Sequence, residues 1–223
     1  MIFLFMNLRG GYGKGLLLTW GVAFVLVEVL GLILVYLTYS SGLPMIYSIF
    51  FRDVLVTSLR FPILEFIIYH ISGLSLRNTL AKPLPGVREI KMIFIGVIFI
   101  AIIDYLIAIV VNGTYSPQLA DYQYYMINNA MWFYPFRIAY YLSEITVMNY
   151  MYILSKNVWR ILEPPITSGT IFLIIVWALP HLITKNMAVA LYATILTVIL
   201  YAEYEYTGSP LTPVILWFAS LII

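Results

Sequence analysis

The sequence predicts an all-α fold, a polytopic bundle of about seven membrane-spanning helices forming one domain over residues 1–223. Three observations carry that expectation. Of the 223 residues, 63% are hydrophobic and only 10% are charged, whereas a water-soluble domain has about 25% charged residues. So few charges cannot cover a surface that faces water. The apolar residues also fall into runs close to the roughly 20 residues that a helix needs to cross a bilayer. Finally, Lys and Arg collect in alternate connections between the runs, as in a chain with a fixed orientation.

The runs follow one another at residues 15–37, 53–75, 91–111, 137–154, 169–184, 187–204 and 210–223. The aromatic stretch MIYSIFF, starting at Met45, precedes the second run and suits the membrane–water interface. Arg60, Pro62, Glu65 and His70 interrupt that second run. One set of connections holds Arg9 and Lys14, then Arg77, Lys82, Arg88 and Lys91, then Lys156 and Arg160. The opposite set holds only Arg52, Arg137 and Lys185. The excess of positive charge places the first set in the cytoplasm. The N-terminus is then cytoplasmic, the C-terminus is outside, and the cell membrane is the expected location.

The connection 112–135 falls outside and is rich in interface-seeking aromatics, among them Tyr115, Tyr122, Trp132 and Tyr134. It also contains the glycosylation sequon Asn112-Gly113-Thr114. The opening MIFLFMNLRGGYGKG puts apolar residues before basic ones. That is the reverse of a signal peptide, so no cleavage is expected. No internal repeat or low-complexity tract is visible.

Composition excludes several chemistries. Without cysteine there is no disulfide, thiol nucleophile or zinc–thiolate site. With two histidines and no His-Glu-x-x-His, a protein-only zinc site is not expected. No metal or other cofactor is implied. A net charge of +2 gives no argument for nucleic acid.

The candidate site lies in the fourth and fifth runs, each of which carries one ionisable side chain: Glu144 and His181. An ionised group in a span costs about 2.5–3.5 kcal/mol on insertion scales, so such groups face each other or a polar cavity. Glu144 is the candidate base, and His181 the candidate partner that bonds the same water or an oxyanion. The plainer reading is that the two only tie helices together. Ser143 is expected to bond backbone or a neighbouring helix rather than act as a nucleophile. His70 reads as interfacial, and Glu65, five residues earlier, is on another face. Asp104 either lines a cavity or reaches the interface. Glu203 and Glu205 are expected to be solvated at the end of the sixth run. Glu28 and Arg60 fall mid-way along the first two runs. Neither can stay unpaired there, so a buried structural ion pair is expected, direct or through Glu65.

The C-terminal third reads WALPHLITKN, an apolar run, then YAEYEYTGSPLTPVILWFAS. In order and spacing, roughly the last 90 residues (137–223 as a motif region) resemble the CPBP family. These are intramembrane proteases related to CAAX-prenyl endopeptidases and bacteriocin-processing proteins. The family pattern is Glu-Glu-x-x-x-Arg on one helix, Phe-x-x-x-His on a later one, a Tyr-x-x-Thr-Gly-Ser-like turn with prolines, and His-x-x-x-Asn or Asp on the last. Here Glu144 matches the second glutamate, Ser143 replaces the first, and Met148 stands at the arginine. Trp177 replaces the phenylalanine and His181 is kept, while Trp217 and Leu221 stand at the last histidine and at Asn or Asp. The resemblance implies a CPBP-like fold. If the protein is active, it implies an endopeptidase that uses a glutamate-activated water on a membrane-bound peptide or protein. The missing motif residues keep two other expectations open. One is a non-catalytic binding, immunity or scaffold protein in the bilayer. The other is a small transporter with Glu28, Arg60, Glu65 and Asp104 as its polar path.

Overall fold

The computed structural model describes residues 11–72, 86–111, 117–159 and 166–220. These are helical apart from turns, and no strand occurs among them. In chain order the helices are α1 (Gly11–Ser40), α2 (Met45–Ser72), α3 (Val87–Val111) and α4 (Pro117–Ile127). A 3-10 turn (Met131–Phe133) leads into α5 (Tyr134–Trp159). The short α6 (Ser168–Leu173), a π turn (Ile174–Ala178) and α7 (His181–Thr184) follow, then α8 (Met187–Thr207) and α9 (Leu211–Ala219). Among the described residues, two helices are long and apolar enough to cross a membrane: Lys14–Ser40 within α1, and α8.

Three elements differ from the runs read off the sequence. The MIYSIFF stretch is not a separate interfacial piece but the first two turns of α2, which continues through Pro62. The fifth run is not one helix. Thr167 caps α6 in a reciprocal box with Thr170. The ladder then widens to a π turn, in which the Leu179 N–H reaches the Ile174 carbonyl at 2.9 Å. Pro180, which has no N–H to give, ends that segment before the single turn of α7. Among the described residues of the seventh run, nine are helical. At 1.5 Å per residue α9 is about 14 Å long, roughly half a bilayer's hydrocarbon thickness.

The ends of α8 follow local rules. Asn186 accepts the Val189 N–H at 2.9 Å as its N-cap. Gly208, at φ 65°, takes the left-handed conformation that ends it.

α5 is the central element and packs on α1, α2, α6 and α9. Ile145, Met148, Met151 and Tyr152 on it have no measurable exposure. α3 packs on α8 and α9. Close approach depends on glycine at two places. A Cβ at Gly31 would come within 2.7 Å of Val56 and 3.0 Å of Arg52, so α1 and α2 lie tightly together there. A Cβ at Gly169 would lie 2.7 Å from the Tyr152 carbonyl oxygen, which fixes α6 against α5. A second small core joins Ile46 at the start of α2 to Tyr125, Ala130 and Phe133. There Phe50 and Phe133 meet at 4.4 Å between ring centroids.

Candidate functional site

Helical spacing collects the polar side chains. Arg52 and Arg60 are two turns apart on α2, with Asp53 beside Arg52. On α5, Arg137, Tyr140 and Glu144 recur at intervals of three and four and share one face. Both faces turn toward Glu28 of α1. Glu28 pairs directly with Arg60, as expected from the sequence. Its other oxygen accepts from Arg52 at 2.9 Å and from the Tyr140 hydroxyl at 3.1 Å. Arg52 also donates to the Tyr140 hydroxyl at 2.6 Å. Arg60 donates to the Tyr140 carbonyl and to the Ser143 hydroxyl, both at 3.1 Å. Arg137 donates to Asp53 at 2.9 Å, and Arg52 lies 3.7 Å from the same oxygen. The three guanidinium groups also sit over the Tyr140 ring at 4.4–4.9 Å. Three arginines therefore meet three carboxylates, those of Glu28, Asp53 and Glu144, around one tyrosine.

Arg52 and Arg137, read from the sequence as loop charges, lie within helices and face the interior; Arg137 is buried and Arg52 is mostly covered. Their spacing against Arg60 and Glu144 was the available signal. Glu205 is likewise not solvated. It accepts the Tyr152 hydroxyl at 2.8 Å and pairs with Lys156, and one oxygen of Glu203 is buried. Ser143 donates to its own helix at Tyr140, at 2.7 Å, which is the backbone role expected of it.

Glu144 and His181 line the same cavity, of about 180 Å³. At about 30 Å³ per water, that is room for roughly six waters or one side-chain-sized group. Trp177 stands between the two residues. Its indole N–H donates to Glu144 Oε1 at 2.9 Å, and its carbonyl faces His181 Nδ1 at 2.8 Å. Arg60 lies 3.6 Å from the same glutamate oxygen. A carbonyl only accepts, so Nδ1 of His181 carries a proton and, in the neutral ring, Nε2 keeps the lone pair. Arg52, Arg137 and Lys185 contribute cations to the lining, and Trp217 closes it 5.3 Å from Trp177. Trp217 thus fills the place where the resemblance would put a histidine.

Asp104 is 1% exposed and reaches neither solvent nor the arginines. The side chain of His70, the residue Leu221 and the sequon at Asn112 lie outside the described residues. Among the described residues no group of three or more His, Asp or Glu could hold a metal ion. Compared with family models, with curated proteins and with solved structures, the chain gives no match in any of the three. The fold and site therefore define a class: a protein helical throughout its described elements, with two helices suited to a membrane and a cavity bordered by a cluster of three arginines and three carboxylates.

Proposed function

We propose that this chain is a multi-pass membrane protein of CPBP-like architecture whose cavity binds a ligand rather than hydrolysing one. The occupant would be a residue-sized group of a peptide, a lipid or a partner helix. The observation that carries this reading is the state of Glu144. One of its oxygens, Oε1, is already held by the Trp177 N–H and faces Arg60, so only Oε2 is left to meet a water. A general base needs a free lone pair within reach of the water it activates, and here half of the carboxylate is committed to anchoring the lining. The bulky Trp217 in the lining also supports a binding surface over a second acid–base group. On this reading wild-type protein in liposomes cleaves no fluorogenic peptide above the rate of empty liposomes. Native mass spectrometry of protein released from its own membrane should show a bound small molecule, peptide or lipid. Ala193→Phe, which fills the cavity, should abolish that adduct. A protein without any adduct would sink the binding reading.

The second reading, a glutamate-type endopeptidase, is favoured by one observation: Glu144 and the Nε2-basic His181 line a single cavity. Peptide cleavage lost in both Glu144→Gln and His181→Gln would establish it in place of the first.

The topology belongs to the same proposal: about seven spans with the N-terminus in the cytoplasm. Arg137 is buried and Arg52 pairs with Glu28 inside the bundle, which leaves Lys185 in the outer tally made from the sequence. The charge asymmetry that orients the chain is then steeper. Cysteines introduced at Gly86 and Gln118 should label from opposite sides of the membrane, and labelling from one side would overturn the topology.

A further inference from the structure

Asp104 sits on α3, outside the arginine network, and is 1% exposed. From α8 the hydroxyl of Tyr192 faces its carboxyl group, close enough to interact though short of good hydrogen-bond geometry. The hydroxyl of Ser220, just past α9, neighbours Tyr192 in turn and donates to the Trp217 carbonyl at 2.7 Å.

No charge compensates Asp104. α3 packs against α8 and α9. On α8 the facing titratable group is Tyr192, while Glu203 lies against Gly96, two turns of α3 away. α9 carries no titratable side chain. On α3 itself Glu89 and Lys91 are near its start, and Tyr105 points outward at 57% exposure. Among the described residues no Lys, Arg or His acts on this carboxyl group. Asp53 is equally buried but has Arg137 and Arg52 beside it. A carboxylate between apolar helices without such a cation is disfavoured. The neutral acid suits the place, because its O–H and the Tyr192 O–H can each donate or accept.

We propose that Asp104 is a buried proton-binding site, wired to the cavity through Tyr192. Tyr192 is a lining residue of the cavity, although its hydroxyl oxygen is buried. With Asp104 protonated, its O–H donates to the Tyr192 oxygen, and the Tyr192 O–H turns toward Ser220. On release, Tyr192 passes its own proton to a water that enters from the cavity and takes the proton of Asp104. The O–H bond of Asp104 breaks as a new Tyr192 O–H bond forms. The carboxylate then accepts a hydrogen bond from Tyr192. One proton leaves as hydronium, and the tyrosine is neutral before and after. This site stands apart from Glu144 and holds whether the cavity binds or hydrolyses.

The test is infrared difference spectroscopy of the full-length protein in lipid nanodiscs through a pH titration. At neutral pH a protonated-carboxyl C=O band should be present, and Asp104→Asn should remove it. Tyr192→Phe should keep the band and shift it to higher frequency by deleting its hydrogen-bond partner. Glu203→Gln, which changes a half-buried acid with one covered oxygen, should leave that band in place. No band sensitive to either Asp104→Asn or Tyr192→Phe means that Asp104 is ionised, and the site is overturned. A band that Asp104→Asn removes but Tyr192→Phe leaves unshifted overturns the wiring. If Asp104→Asn does not fold, the shift in Tyr192→Phe still decides between the two.

Discussion

The two walls of the cavity carry polarity in opposite ways. On the α1–α2 side, and along the first turns of α5, it is ionic and compensated: every guanidinium group meets a carboxylate, and Tyr140 sits under all three. On the side of the π turn, α8 and α9 it is aromatic: Trp177, Tyr192 and Trp217 present rings, and the Trp217 N–H is buried without a hydrogen-bond partner. The ionic wall needs precise partner placement, because a charge stripped of its partner in a buried site is far costlier than a lost neutral contact. The aromatic wall needs shape, and an unsatisfied neutral N–H there costs less than an unpaired charge does. Glu144 lies at the seam, held by Arg60 from one wall and Trp177 from the other.

The contrast breaks most directly at Arg60. Arg60→Ala leaves Glu28 with Arg52 as its one cation and takes the nearest cation from Glu144, and it should cost about 3–5 kcal/mol, read as a lowered unfolding midpoint in detergent. The double change Glu28→Gln with Arg60→Met removes both charges and should recover much of that loss. A double variant no more stable than Arg60→Ala would show that the ionic wall is not held by pairing. At the seam, Trp177→Phe keeps an aromatic ring but deletes the N–H to a carboxylate and part of the buried indole. It should cost about 1.5–3 kcal/mol, the range for hydrogen bonds to charged groups. A change under half a kilocalorie, within the scatter of surface substitutions, would mean that Glu144 is held by Arg60 alone. Glycines compare the walls by sterics. Gly31→Ala presses on Val56 and Arg52, so it should cost about 1–3 kcal/mol, as overpacking does. Gly21→Ala presses on the side chains of Val176 and Phe172 and should cost less than Gly31→Ala. Equal losses in the two unfolding curves would erase the distinction. The smallest effect lies away from the cavity. Tyr152→Phe loses the hydroxyl that donates to Glu205 and accepts from Thr167, worth about 0.5–1.5 kcal/mol. Its stacking on Tyr201, with ring centroids 4.2 Å apart, is retained.

What the sequence determined by itself was set by local composition and by the cost of isolated charge. Apolar runs of helical length fixed the all-α class. Two opposite charges at similar depth on consecutive runs pointed to the Glu28–Arg60 pair. Glu144 and His181 stood out because they were ionisable groups in apolar runs, and they line one cavity. The rest was decided by tertiary structure. Whether Arg52 ends a helix or enters the core depends on where α2 begins, and α2 begins at Met45 because its aromatic first turns dock on Phe133. Arg137 is buried because the face it shares with Tyr140 and Glu144 turns toward Asp53, a rotation that packing of α5 sets and periodicity does not. The π turn that breaks the fifth run leaves no mark in hydropathy, yet it carries Trp177, whose N–H and carbonyl meet Glu144 and His181. Glu205 looked solvated from its place at the end of a run and is instead half-buried and bonded to Tyr152 from another helix. A run of residues reports the energy of a helix with its solvent. Which side chain meets which depends on the rotation and separation of helices far apart in sequence, and those are fixed only when all the helices pack together.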